Sequence, residues 1–201
     1  MDIAFILLTV FIAWQMLRVR YQRAHIALLA RHLAGLRLEK HMETLTQGYL
    51  RAIGEEDASR QLQVLETFTP SERAVAAQVQ TLADAMQRES ARDTALCTLT
   101  FCLPYAERLV PSATRDFRAL LRIHAAGLRH VVDNEDGLDP RRRAYRIAAE
   151  LYLFQHSCHW YCKSRAVADA RLAVRHQVGH DKVLESVSER TREAYLRWLE
   201  G

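Results

Sequence analysis

From Ile3 to Ala13 the chain holds one polar residue, Thr9, whose hydroxyl a helix can return to its own backbone. The apolar run continues to Leu17 and stops at Arg18, Arg20 and Arg23. This pattern predicts a single transmembrane helix over residues 1–17 with a basic stop. The run is short, since crossing ~30 Å of hydrocarbon takes roughly 20 apolar residues, so the arginine stems have to reach back toward the headgroups. Trp14 and Tyr21 fall where an aromatic belt would sit, and with Arg18, Arg20 and Arg23 they are the expected membrane-interface residues. A secretory signal fits poorly. It wants positive charge before the apolar run and a small-residue cleavage site after it, whereas here the charge follows, and Trp14-Gln15-Met16-Leu17-Arg18 is no such site. The remaining alternative is a buried core helix.

Beyond the basic stop, Val19, Ile26, Leu29, Leu33 and Leu36 recur at helical spacing, interrupted by Gln22. Leu38, Met42, Leu45 and Tyr49 continue the stripe in a shifted register. One amphipathic juxtamembrane helix over 18–53 is expected, able to self-associate or to pack on the rest of the chain. Gly54 followed by Glu55-Glu56-Asp57 predicts a stop and an acidic restart, with Leu62, Val64, Leu65 and Phe68 as the apolar side.

Thr69-Pro70-Ser71-Glu72 has the form of a capping box with proline in the first turn, followed by Val75, Val79, Leu82 and Met86 on one face. Ala95–Ala106 is apolar and too short to span a membrane, so a buried central helix ended by Pro104 is expected. Pro111-Ser112-Ala113-Thr114 opens another helix carrying Phe117, Leu120, Leu121, Leu128 and Val131, and Asp133–Gly137 is a loop. Asp139-Pro140 starts a long helix to Val178, closed by Gly179. His180-Asp181 opens the last, with Val183, Leu184, Val187, Tyr195 and Trp198 aligned. No repeat and no strand signal stands out. The fold class is all-α: a transmembrane helix followed by a soluble bundle of about seven helices, the domain occupying 54–201.

Composition adds location rather than chemistry. Lysine occurs only at Lys40, Lys163 and Lys182 and the other basic residues are arginine, a bias typical of a GC-rich bacterial genome. The arginines follow the apolar run and only Asp2 precedes it, so the positive-inside rule places the first residues outside and the domain in the cytoplasm, at a bacterial inner membrane. The net charge of +4 suits an anionic inner leaflet and is too diffuse for nucleic acid. In a cytoplasmic domain the four cysteines, Cys97, Cys102, Cys158 and Cys162, are reduced.

Three groups of residues could carry chemistry. His156-Ser157-Cys158-His159-Trp160-Tyr161-Cys162 is the richest. Cys158, His159 and Cys162, with Cys97 or Cys102, supply the thiols and imidazole that zinc takes. Against this, Cys158 and Cys162 share the apolar face with Leu151, Phe154 and Tyr161, where cysteine packs as a small hydrophobe. His176 and His180, with Asp181, have ligand spacing, but Gly179 lies between them. His25 and His32 read as interfacial surface residues. Arg141, Arg142, Arg143 and Arg146 oppose a helix macrodipole and could bind an acidic partner or lipid headgroups, unless Asp133, Glu135, Asp136 and Asp139 neutralise them locally.

There is no phosphate loop, no His-Glu-x-x-His, no Gly-x-Ser-x-Gly and no glutamate followed three residues later by histidine. The expectation is therefore a non-enzymatic interaction or accessory protein that holds a protein partner at the membrane, with homo-oligomerisation through 18–53 as one form. A metal- or redox-responsive sensor using the Cys/His cluster is the alternative. An enzyme built from scattered residues is the third.

Overall fold

The apolar run and the first half of the juxtamembrane stretch fold as one helix, α1 (Asp2–Leu33). The computed structural model describes residues 2–201, so Met1 of the expected anchor lies outside the described residues. From Ile3 to Trp14 every side chain is exposed, and α1 is long and apolar enough to cross a membrane. Its second half is built into the bundle, where Gln22, His25 and Leu29 are buried. The expected apolar stripe holds only in part: Leu29 is buried and Leu33 and Leu36 pack on the core, but Val19 and Ile26 face outward and the interrupting Gln22 faces inward.

The expected continuous helix over 18–53 is broken at Ala34-Gly35-Leu36-Arg37. The chain turns there into α2 (Leu38–Ile53), whose stripe of Leu38, Met42, Leu45 and Tyr49 is buried in the molecule's own core. The residues expected to drive self-association are therefore used inside the chain. α3 (Ala58–Glu66) starts at Asp57, which caps the amides of Ser59 and Arg60. α4 (Thr69–Met86) follows with Pro70 in its first turn, but the capping box does not form. Phe68 holds the cap position, and Glu72, 2% exposed, turns into the core.

Ala95–Ala106 is not a helix. Ala95–Cys97 forms β1, antiparallel to β2 (Thr114–Asp116), with Leu96 opposite Arg115. Short apolar runs do not distinguish strand from helix by periodicity, and Thr94, Thr98 and Thr100 give this one the alternation of a strand. A short α5 (Ala106–Leu109) and a 3-10 turn (Pro111–Ala113) complete the excursion. α6 (Phe117–Val132) therefore begins later than expected, capped by Asp116.

α7 (Pro140–Cys162) starts at Asp139, whose carboxylate caps the Arg142 amide. It ends well before Val178: Lys163 leaves the helical region and Ser164 caps α8 (Arg165–His176). The last expected helix is likewise two, α9 (His180–Ser186) and α10 (Glu189–Glu200), parted at Ser188. These serine caps raise the count to nine helices after α1 among the described residues. α6 lies at the centre, against α4, α7 and α10, while α7 also carries α1, α2, α8 and α9 on its flanks. The chain is all-α, a long apolar first helix followed by a helical bundle.

Candidate functional site

One side of α7 stays incompletely covered. Tyr145, Ala148, Ala149, Tyr152, Gln155, Cys158, His159 and Cys162 recur three and four residues apart and so share that side. Toward the N-terminal end of α7, the wall of α2 and the residues around α9 leave a cavity of about 510 Å³. Leu50, 72% exposed, and Tyr145, 51% exposed, stand at its mouth, with Arg142, Ile53, Tyr152 and Val183 around it. Farther along α7 a second cavity of about 290 Å³ is lined by Leu29, Leu33, Leu36 and Met42 facing Cys158, His159 and Cys162, with Arg175 on the rim. This side of α7 is thus grooved in two stretches that share no lining residue, both mainly apolar with arginines at the edge, the second also carrying Glu39, the chemistry that an amphipathic helix fills.

The cysteines belong to this groove as wall. Burial raises the Cys158 thiol well above its usual range, with the Cys162 sulfur adding to the rise, and burial raises Cys162 to about 11. Both sulfurs are thus held as thiols in the metal-free chain, which disfavours attack by thiolate. Burial, and then Arg171 and Arg175, lower His159 to about 4, so its ring is neutral. Cys97 and Cys102 lie elsewhere, beside Tyr21 of α1. Among the described residues no group of three or more His, Cys, Asp or Glu side chains could hold a metal ion. The five residues expected as a zinc set are thus not gathered.

The other candidates are dispersed. His156 turns away from the cysteines and meets Asp169 of α8 through Nε2 at 2.7 Å, with the His180 ring 4.6 Å off. His180 meets the Tyr195 hydroxyl at 3.1 Å, and His176 meets Gln155 at 3.0 Å, so these two histidines serve different partners. His32 sits against Glu89 at 2.7 Å. His25 is a buried residue, its Nδ1 2.9 Å from the Tyr161 carbonyl. Neither is the free surface group expected.

The arginine run is divided by role. Arg143 reaches Glu72 at 2.9 Å, a carboxylate that also accepts the Tyr49 hydroxyl at 2.6 Å. Arg146 donates to the Val187 carbonyl at 3.3 Å. Arg142 pairs with Asp139 at 3.3 Å, while Glu135 and Asp136 hold His130 instead of the arginines. Of the interface set, Arg18 is half-buried, Trp14, Arg20 and Arg23 are exposed, and Tyr21 packs on Tyr105 with ring centres 5.5 Å apart.

The groove residues Leu50 and Tyr145 escaped the sequence reading. Both are large apolar residues lying off the buried stripe of their helix, and that displacement is the signal that marks them. Compared with family models, curated proteins and solved structures, this chain matches none.

Proposed function

We propose that the protein is a single-pass, membrane-anchored interaction protein. Its bundle stands on the cytoplasmic face of a bacterial inner membrane and holds a partner's amphipathic helix in the groove along α7. The observation that carries the reading is the division of α1: every apolar side chain from Ile3 to Leu17 is exposed, and the other half of the helix is fixed in the bundle. Each large apolar side chain left in water forgoes about 1.5–3 kcal/mol of burial, so the Ile3–Leu17 surface calls for cover that the chain does not supply. The arginines after Leu17 support the inward orientation. Arg142 and Arg146 beside the cavity between α2 and α9 favour a partner helix with an acidic flank.

Two measurements test this. Alkaline carbonate should leave the full chain in the membrane, and a phosphatase fused after Gly201 should be inactive while a cytoplasmic reporter there is active. A photoreactive residue at Leu50 or Tyr145 should form a protein adduct in native membranes. Extraction by carbonate removes the anchor, and adducts equally frequent at the exposed Leu196 remove the groove.

A further inference from the structure

We infer that a second part of the molecule touches the membrane: the patch carrying Phe101 and Val174, beside Arg18 and Arg171, docks on an anionic lipid headgroup layer. The inference rests on the anchoring role proposed for α1.

Depth is the first argument. Arg18 follows Leu17 on one unbroken helix, ~1.5 Å farther along its axis. Arg18, Phe101, Arg171, Val174 and Arg175 line a single open cavity of about 730 Å³. Tyr21, one turn below Arg18, packs on Tyr105 of the same excursion that carries Phe101. Gln15 and Arg18 are half-covered while Trp14, Met16 and Leu17 are exposed, so only one side of α1 is flanked at this level. With Ile3–Leu17 in hydrocarbon, Phe101 lies at headgroup depth.

Chemistry is the second. Phe101 is 77% exposed and Val174 84%. A large aromatic at an irregular chain excursion, left in water beside an apolar helix, is what an interfacial contact uses. The cavity wall includes three arginines, Arg18, Arg171 and Arg175, and no carboxylate. None of the three forms an ion pair among the described residues. Phosphate headgroups supply the missing charge. The contact also compensates the span: the run of residues 3–17 is ~22 Å long as a helix, short of ~30 Å, and a patch seated in the headgroups would hold a locally thinned bilayer against the bundle.

The test uses the full chain in vesicles of phosphatidylcholine, with or without phosphatidylglycerol. A benzophenone amino acid replaces Phe11, Phe101, Val174 or Leu50 in turn, and adducts are read by mass spectrometry. Both patch positions are exposed, so neither replacement disturbs the core. Lipid adducts are expected at 11, 101 and 174 and not at 50. Phosphatidylglycerol should raise the yields at 101 and 174, and Arg171→Gln should lower them by up to about fivefold, the attraction of one arginine near the surface. Lipid adducts at 11 without any at 101 and 174 overturn the patch and leave the anchor standing. Absence of lipid at 11 overturns the anchor and the patch with it. Equal yields in the two vesicle types, or a protein adduct at 101 in native membranes, overturn the headgroup assignment.

Discussion

His25 Nδ1 lies 2.9 Å from the carbonyl oxygen of Tyr161, and the two rings stack with centres 4.4 Å apart. A carbonyl only accepts, so Nδ1 carries the proton. One turn earlier, Gln22 donates to the Lys163 carbonyl at 3.3 Å. The last carbonyls of a helix have no partner within it. Two polar side chains of α1 therefore close the C-terminal end of α7, joining the exposed apolar helix to the centre of the bundle.

Replacing His25 by phenylalanine keeps a ring for stacking and deletes the donor. The Tyr161 carbonyl then loses its partner in a buried place, which costs about 1–3 kcal/mol. His25→Ala should cost more, because the ring goes too. Thermal melts of the full chain in detergent measure both, and amide exchange should quicken in the last turn of α7. Equal stability of His25→Phe and the parent would show that the carbonyl is satisfied without α1.

Glu72 ties α2, α4 and α7 together. It is buried, accepts the Tyr49 hydroxyl at 2.6 Å and pairs with Arg143 at 2.9 Å. Removing one partner of a buried ion pair leaves an uncompensated charge and costs on the order of 3 kcal/mol. Arg143→Met alone should therefore be strongly destabilising. Arg143→Met combined with Glu72→Gln should recover more than half of that loss, because no charge is then stranded. Urea unfolding of these two variants and of Glu72→Gln alone decides it, and simple addition of the two separate losses counts against the pair.

Local signals were legible in the sequence and long-range ones were not. Asp139 caps its helix as expected, and Asp57, read only as part of an acidic restart, caps as well, because a cap involves only the next three residues. Glu72 looked like a capping residue for the same reason, but its real partners lie 23 and 71 residues away. Gln22 read as a break in the apolar stripe and His25 as surface because the carbonyls they close are 141 and 136 residues distant. Gly127 sits inside α6 without a turn to explain it. A Cβ there would strike the Thr191 hydroxyl beside buried Glu150, a contact known only once α10 is in place. The groove was hidden likewise, since its walls come from helices far apart in the chain.

Cys158 and Cys162 give a third prediction. Both are partly buried and border a cavity that already exists. Alanine at both should cost only about 1 kcal/mol each. Serine at both should cost more, because the hydroxyls enter an apolar wall. Melts of the parent should be indifferent to chelator. A chelator-sensitive melt that the double alanine variant abolishes would return the pair to the role of metal ligands.

Acid should loosen the bundle before any carboxylate titrates at its ordinary pKa. Burial lowers His124 from 6.5 to about 3, with the nearby His156 adding to the effect. Burial and then His180 lower His156 to about 4, against the pull of Asp169. His159, His176 and His180 move down as well, each mainly through burial. His124, His156 and His159 are neutral in the folded chain, His176 and His180 are shifted the same way, and all five take up protons on unfolding below pH 6.5. Their contribution is complete above that value and is lost as pH falls toward 4. Two groups act oppositely. Burial raises Glu150 against the lowering bonds from Ser188 and Thr191, and at His130 burial is outweighed by the bonds to Glu135 and Asp136. The lowered histidines outnumber them, so the net sign is destabilising. Each proton taken up only by the unfolded chain contributes up to about 1.4 kcal/mol per pH unit. Urea midpoints of the full chain in detergent should therefore fall between pH 6.5 and 5. His124→Gln, which keeps a donor for the Ser157 hydroxyl now 2.9 Å from Nε2, should flatten that slope by about one proton's share. A midpoint constant across this range, or a slope unchanged in His124→Gln, would mean that His124 is protonated in the folded core.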